Sequence, residues 1–332
     1  MEHYERNPMT LAAPGSPIDK ILIKLPELMR ERIDKLPKQA MNQLEEIRIR
    51  TDTDTLLISG GREYSLRDRD EITAEVLDEI LNRLLDYSYY AYEEELARGY
   101  ITIEGGHRVG ICGRVTLENG QVHLIKDVSS LNIRRSREIT GASDKILGAV
   151  LSPAKAPAKG AQNAGVSAAI TEMNVRNTLI ISPPKCGKTT ILRDLARSLS
   201  CRGFRIGICD ERSEIAGCYD GKTSYDLGPR TDVLDGCPKA EGILMLIRAM
   251  SPDVVLTDEI GKPEDAAAIR SALSAGVKII TTIHGSSFED AAKSAVGDLI
   301  TDRVFETLIF LSAQPVTGTV EKILQLPEVS HG

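Results

Sequence analysis

Apolar and polar positions follow two different patterns along this chain, and the change between them divides it. Between residues 18 and 36 (IDKILIKLPELMRERIDKL) apolar side chains recur at helical spacing with a break near Pro26, which predicts one or two short amphipathic helices. Glu45–Arg50 (EEIRIR) alternates charged and apolar residues as a half-buried strand does. Thr55–Ser59 reads as a second strand, with Gly60-Gly61 the turn out of it. Over Ala74–Leu85, the residues Val76, Leu77, Ile80, Leu81, Leu84 and Leu85 fall on one helical face. A tyrosine-dense segment follows (Tyr87, Tyr89, Tyr90, Tyr92), read as a helix end packed on a sheet in preference to an aromatic contact surface. From Tyr100 to Val128 strand-like runs are separated by Gly105-Gly106 and Asn119-Gly120, both hairpin signals. These elements predict an N-terminal α+β domain over residues 1–137, with 1–17, rich in Pro, Gly and polar residues, as a frayed terminus.

The texture then changes. Ser143–Leu151 reads as a short apolar helix, and SPAKAPAKGAQNAGVSAA (152–169) has too little bulky apolar surface to order itself. It is either an interdomain linker or a flexible insertion, and insertion is preferred because the preceding helix needs something to pack on. From Thr178 onward, TLIIS, FRIGICD, DVVLTDE, VKIITTIH and ETLIFLS are β-rich runs, with helical segments between the earlier ones and after IITTIH. Near-continuous apolar strands alternating with helices predict an α/β domain over 138–332, a parallel sheet covered on both faces.

Composition narrows the classes. The 332 residues are 42% hydrophobic and 27% charged, enough for two folded domains. A net charge of −7 argues against a whole-protein electrostatic footprint for nucleic acid, though not against a local basic groove. No apolar run reaches the roughly 18–20 residues of a membrane span, so a membrane is expected to matter only through a partner. The six cysteines have no C-x-x-C or metal-type spacing and read as reduced cytosolic thiols.

Candidate chemistry begins at TLIISPPKCGKTTILRDLARSL, a strand, a tight loop and a helix. The pattern G-x-x-x-x-G-K-[ST] wraps phosphates with backbone N–H groups at the positive end of a helix. Ser182, Pro183, Pro184, Lys185, Cys186, Gly187, Lys188, Thr189 and Thr190 are therefore the expected ATP-binding loop. Lys188 would reach the β- and γ-phosphates, Thr189 would bind Mg²⁺, and Gly187 would permit close backbone approach. Ser182 stands where the pattern has its first glycine, a departure that costs something if φ is positive there. A chance GKT in an ordinary strand-to-helix turn is the bland alternative, disfavoured by the flanking elements. Cys186 reads as a passive small residue rather than a redox switch.

About seventy residues later DVVLTDEIG ends an apolar strand in Asp258-Glu259. Asp258 is expected to position Mg²⁺ and Glu259 to orient or deprotonate the attacking water. Thr281, Thr282 and His284 end the next strand and suit a γ-phosphate sensor, against a histidine merely satisfied at a strand terminus. Asp210, Glu211 and Glu214 end another strand; Glu211 is a candidate catalytic residue, with ordinary solvated charge as the alternative. Arg134, Arg135, Arg137 and Arg230 are candidate arginine fingers supplied by a neighbouring subunit.

Taken together these segments resemble the type II and type IV secretion ATPase superfamily. SPDVVLTDEIGKPEDAAAIRSALSAGVKIITTIHGSSFEDA looks like its Walker B segment, helix, turn and histidine box in order, and DERSE falls where the family keeps its acidic box. GGHRVGICGRV, LNIRRSREI and RTDVLDGCPKAEGILMLIRAMSPD make it look most like a branch active in endospore formation. The resemblance covers roughly residues 40–325, although Asp258-Glu259 replaces the usual Gly-Glu. It implies a RecA-like P-loop core, ATP hydrolysis with Mg²⁺, a cytoplasmic homo-oligomer (a hexamer) and integral-membrane sporulation or secretion-complex partners. The competing classes are a nucleic-acid-associated P-loop ATPase, for which no basic-aromatic platform is visible, and a non-catalytic scaffold, against which Asp258 and Glu259 both argue.

Overall fold

A computed structural model describes residues 17–153 and 173–326 of the chain. The expected frayed terminus and the 152–169 insertion lie outside the described residues except for Pro17, Ser152 and Pro153. Two compact units are present, 17–137 with Gly217–Ser224, and 138–216 with 225–326. The short segment Gly217–Ser224 falls inside the range expected for the second domain but belongs to the first unit. Its Tyr219 hydroxyl donates to Asp86 at 3.0 Å.

The first unit opens with α1 (Pro17–Leu22), α2 (Glu27–Asp34) and α3 (Lys38–Asn42), with Pro26 and Pro37 at the N-caps of the second and third. Proline cannot continue the preceding helix, which is why the expected break near Pro26 is real. Then come β1 (Leu44–Arg50), β2 (Leu56–Ser59), β3 (Arg62–Ser65), α4 (Ala74–Leu84), α5 (Glu93–Ala97), β4 (Tyr100–Ile103), β5 (His107–Glu118) and β6 (Gln121–Arg134). The strands form one sheet in the order β3-β2-β1-β6-β5-β4, with every pair antiparallel. Leu77, Ile80, Leu81 and Leu84 share one face of α4 and pack on Ile47, Leu57, Val109, Ile111 and Leu131 of the sheet. The Thr73 hydroxyl accepts the Val76 N–H and starts that helix.

The tyrosine segment departs from its expected packing. Tyr92 rests against the core, but Tyr87 and Tyr90 are 67% and 94% exposed. The chain leaves α4 through Asp86 and Tyr87, both left-handed (φ 48° and 59°), which breaks the helical register that would have seated the rings.

The second unit contains α6 (Asp144–Val150), β7 (Leu151–Pro153), β8 (Met173–Val175), β9 (Thr178–Ser182), α7 (Lys188–Cys201), β10 (Ile206–Asp210) and β11 (Thr231–Asp235). These are followed by α8 (Lys239–Met250), β12 (Val254–Thr257), α9 (Pro263–Ser274), β13 (Lys278–His284), α10 (Phe288–Ala292), α11 (Gly297–Thr301), β14 (Thr307–Ser312) and β15 (Thr319–Gln325). Seven strands make the main sheet in the order β11-β10-β12-β13-β9-β14-β15. The five expected strands are mutually parallel, as is β11; only β15 is antiparallel. β11 and β15 were not legible as strands, since their burial is partial and they lie at the sheet edges. Leu179, Ile181, Val255, Ile279, Ile283, Leu308 and Phe310 pack with Ile243, Leu246, Ala268 and Ile269 of α8 and α9. The alternate residues Ile180, Val254, Leu256, Ile280 and Ile309 are equally buried, so both faces are covered. Among the described residues no helix is long and apolar enough to cross a membrane.

The seating of α8 on β10 can be tested directly. A Cβ on Gly242 would lie 2.3 Å from Cys209 Sγ. Gly242→Ala should destabilise the protein by about 1–3 kcal/mol through overpacking, and Cys209→Ala should recover much of that loss. Urea unfolding of the two single variants and the double variant measures the coupling; strictly additive effects would contradict the contact.

Candidate functional site

β9 runs through the interior of the sheet with every residue buried. Parallel pairing sets its last residue, Ser182, beside His284, the last residue of β13. Ser182 keeps the extended backbone of the strand, so the cost expected for a non-glycine residue there does not arise. The left-handed positions of the loop are Lys185 (φ 61°) and Gly187 (φ 81°). Gly187 caps α7, whose first N–H groups have no intrahelical partner and face any bound anion with the helix dipole behind them. Pro183 and Pro184 have no N–H, so they can shape the loop but cannot donate to a phosphate. Pro183, Pro184 and Lys185 are exposed, whereas Cys186 is buried with its thiol 3.6 Å from the Pro184 carbonyl. That burial suits the passive role expected of it.

Lys188, the first residue of α7, folds back across the loop. Its Nζ donates to the Ser182 carbonyl at 3.2 Å and lies 3.0 Å from His284 Nδ1. An ammonium can only donate, so Nδ1 accepts and the imidazole proton sits on Nε2. That nitrogen meets Glu259 Oε1. Burial lowers the Lys188 pKa, with Glu259, Cys186 and Asp258 pulling it back up. Thr189 and Thr190, in the first turn of α7, are partly buried.

β12 delivers the two carboxylates into different surroundings. Asp258 is 3% exposed, and its Oδ1 is buried with no hydrogen-bond partner among the described residues. Burial drives its pKa up to about 6, opposed by Lys239 and reinforced by Glu214 and Glu259. Thr257 and Thr281 are register partners on β12 and β13, and their hydroxyls are likewise buried and unpartnered. Glu259 turns out of the strand in a left-handed conformation (φ 44°) that costs a non-glycine residue about 1–2 kcal/mol. Its N–H donates to Thr282 Oγ1 at 2.8 Å, and its carboxylate reaches both His284 and Arg212 Nη1, the latter at 3.3 Å. Lys188, His284 and Glu259, expected separately as phosphate lysine, phosphate sensor and water-activating carboxylate, are thus in one contiguous set.

The acidic segment divides its roles. Asp210 is fully buried and accepts from the N–H groups of Glu214, Ile215 and Ala216, so it is a loop organiser and not a solvated charge. Burial raises its pKa to about 7 despite those donors. Glu211 sits at the same sheet edge, but its carboxylate is held by Lys239 at 2.6 Å and Lys262 at 3.9 Å, away from His284 and Lys188. Arg193 of α7 ties the loop down by donating to the Glu214 and Ile215 carbonyls, its guanidinium 3.5 Å from the Tyr225 ring centroid. Sequence reasoning missed Arg212, Lys239 and Arg193, since nothing in their spacing announces a buried lysine or a loop-binding arginine.

The candidate arginines differ in what they do. Arg135 donates to the Met41 and Asn42 carbonyls and Arg137 to that of Leu44, so both guanidinium groups tie their own unit together. The side chain of Arg134 is 53% exposed, and its ion pair among the described residues is with Glu46 at 3.8 Å. Arg230 precedes β11, and the parallel register places it at the amino edge of the sheet, a strand's length of about 16 Å from the edge carrying Asp210 and Asp258.

A hard dication bound by oxygen fits this donor set: the unpartnered Asp258 oxygen and the Thr189 hydroxyl, supplemented by ligand phosphates, as Mg²⁺ is usually held. A triphosphate fits the loop, where Gly187, Lys188 and the start of α7 present the positive groups.

The chain matches the family described as "Sporulation stage III, protein AA" over residues 19–327. It is 43% identical over 313 residues to the stage III sporulation protein AA of Bacillus subtilis (strain 168), covering 92% of this chain and 94% of that protein. Among solved structures it resembles the pilus retraction motor PilT with bound ADP, at TM-score 0.56 and 13% identity over 88% of this chain and 82% of that one. It also resembles the Legionella pneumophila ATPase DotB, at TM-score 0.50 and 14% identity over 86% and 76%. At that identity the likeness establishes the fold, the RecA-like architecture of secretion ATPases.

Asp258 gives a pH test. Its folded-state pKa is raised from 3.8 to about 6, so the folded state binds the proton more tightly than the unfolded one. The stability this group contributes is therefore lost as pH rises from about 4 to about 6 and stays lost above that. Asp258→Asn should stabilise the nucleotide-free protein at pH 8 by on the order of 2 kcal/mol. The gain should shrink toward pH 4 in denaturant melts. A gain independent of pH would assign the effect to packing instead.

Proposed function

The chain belongs to the sporulation stage III protein AA family, and from that premise we propose that it is an ATP-hydrolysing, secretion-type motor subunit. It would power a membrane-associated transport or assembly complex during endospore formation. The observation that carries this reading is the convergence of Lys188, His284 and Glu259 beside the N-terminus of α7, at the carboxyl ends of parallel strands. In open parallel sheets that is the edge where ligands bind. The fold shared with PilT, which was solved with ADP, and with the ATPase DotB supports the same assignment.

In the proposed reaction the N–H groups of Lys185 to Thr190 and the Lys188 ammonium hold the phosphates. Thr189 and Asp258 would hold Mg²⁺, which when bound offsets the charge on the β- and γ-phosphate oxygens. Glu259 is the general base: it accepts a proton from water as the water oxygen bonds to the γ-phosphorus and the bridging bond to ADP breaks. The hydrogen bond from its N–H to Thr282 fixes the strained turn that presents the carboxylate. His284, bridging Lys188 and Glu259, is placed to sense whether a phosphate has drawn Lys188 away. Glu211 is assigned an indirect role through Lys239.

We place the protein in the cytoplasm as a homo-oligomer, a hexameric ring by kinship with secretion motors, peripheral to the membrane through integral-membrane partners. Of the three candidate trans-acting arginines between 134 and 137, Arg134 is the one whose guanidinium is least engaged within its own unit, and Arg230 is exposed at the opposite sheet edge.

Glu259→Gln should retain ATP binding while losing at least about 100-fold in turnover, the usual contribution of a positioned base. Steady-state phosphate release and nucleotide binding, both measured on the assembled protein, test this. Unchanged turnover would remove Glu259 from the role.

A further inference from the structure

The proposed hydrolytic site holds a cation that neither the phosphate loop nor the histidine strand supplies. Arg212 lies two residues beyond the end of β10, at the same carboxyl edge as Asp258 and His284. Its Nη1 is 3.3 Å from Glu259 Oε2, and its side chain is 51% exposed. The other oxygen of Glu259 meets His284, whose second nitrogen meets Lys188. Arg212, His284 and Lys188 thus form a chain of nitrogen groups gathered about a single carboxylate.

The backbone around Arg212 is fixed while its head group is not. Asp210, just before it, accepts the N–H groups of Glu214, Ile215 and Ala216. Arg193 binds the carbonyls of Glu214 and Ile215. Ser213, next in sequence, is held left-handed at φ 54°. Among the described residues the guanidinium itself is tied by one half-exposed ion pair, a kind worth only about 0–1 kcal/mol. A rigidly mounted arginine with a weakly held head group at a phosphate-facing edge is suited to change partners. Glu259 is an anion of the kind a terminal phosphoryl group would replace, and a guanidinium binds either through two parallel N–H donors.

We propose that Arg212 is the γ-phosphate arginine of this chain, carried in cis: it holds Glu259 when no triphosphate is present and passes to the γ-phosphate when one binds. The proposal rests on the ATPase reading above and adds a discrimination to it. ADP offers no γ-phosphate and leaves Arg212 on Glu259, so Oε2 of the base is released for water only when the hydrolysable nucleotide is in place. During transfer Arg212 stays charged, offsetting the negative charge on the γ-phosphoryl oxygens while Glu259 takes the water proton.

The test uses the full chain with Mg²⁺, wild type against Arg212→Ala and Arg212→Lys. Affinities for ADP and for the non-hydrolysable analogue AMP-PNP are measured by calorimetry, and turnover by phosphate release. Arg212→Ala should leave ADP affinity within about twofold, which also serves as the check on folding. It should weaken AMP-PNP about tenfold or more and lower kcat by about 100-fold or more. Arg212→Lys should recover only part of either loss, because it lacks the paired donors. If wild-type protein binds both nucleotides but the AMP-PNP to ADP ratio is unmoved in Arg212→Ala, the role of Arg212 is wrong and the ATPase reading stands. If wild-type protein binds neither nucleotide, the ATPase reading fails and takes this assignment with it.

Discussion

Parallel register across β12, β13 and β9 is the constraint on which the rest of the candidate site depends. Thr257 pairs with Thr281, and His284 with Ser182. β13 and β9 therefore end level with each other, while β12 stops opposite Thr281, so that Asp258 and Glu259, just past its end, come out beside Thr282 and His284 at the same edge. A slip of one residue would turn each side chain to the opposite face and bury it among the helices. Because β12, β13 and β9 are buried on both faces, such a slip would exchange the side chains fitted to the two covering layers and misfit both, so packing reinforces the ladder hydrogen bonds in holding the register.

Upon that frame the chain places groups that are unfavourable in the folded state. Asp258 is an acid in an apolar setting with one oxygen unpartnered, and Glu259 occupies a left-handed turn. Lys239 is a buried ammonium, balanced by Glu211 at 2.6 Å. Asp258 and Glu259 lower stability unless a ligand completes them, and their clustering at one sheet edge is what a preorganised charge site requires. Asp210 and Arg193 are the counterpart: buried side chains whose hydrogen bonds to the backbone stiffen the loop bearing Arg212.

Much of this was legible in the amino-acid order. The five parallel strands announced themselves because each is a short run of buried apolar residues, and the phosphate-loop pattern and Asp258-Glu259 are local in sequence. Ser182 looked irregular only because the motif supposes a left-handed first residue; here the strand continues through it and Lys185 takes that conformation instead. What could not be read was pairing at a distance. Arg212 reaches Glu259 across 47 residues and Lys239 reaches Glu211 across 28, and no periodicity encodes either. β11 and β15 escaped notice because edge strands bury too little to show a clean pattern. The tyrosine segment was misjudged because two left-handed residues at Asp86-Tyr87 cannot be foreseen from an otherwise helical run.

The central claim is that the carboxyl edge of this sheet binds a nucleotide triphosphate through Lys188 and the start of α7. Calorimetric titration of the purified chain with ATP and Mg²⁺, repeated on Lys188→Ala, tests it most directly. The account predicts one nucleotide per chain for the wild-type protein and at least a hundredfold loss of affinity on removing the ammonium, about 2.7 kcal/mol. Equal binding by the two proteins, or none by the wild type, would contradict it.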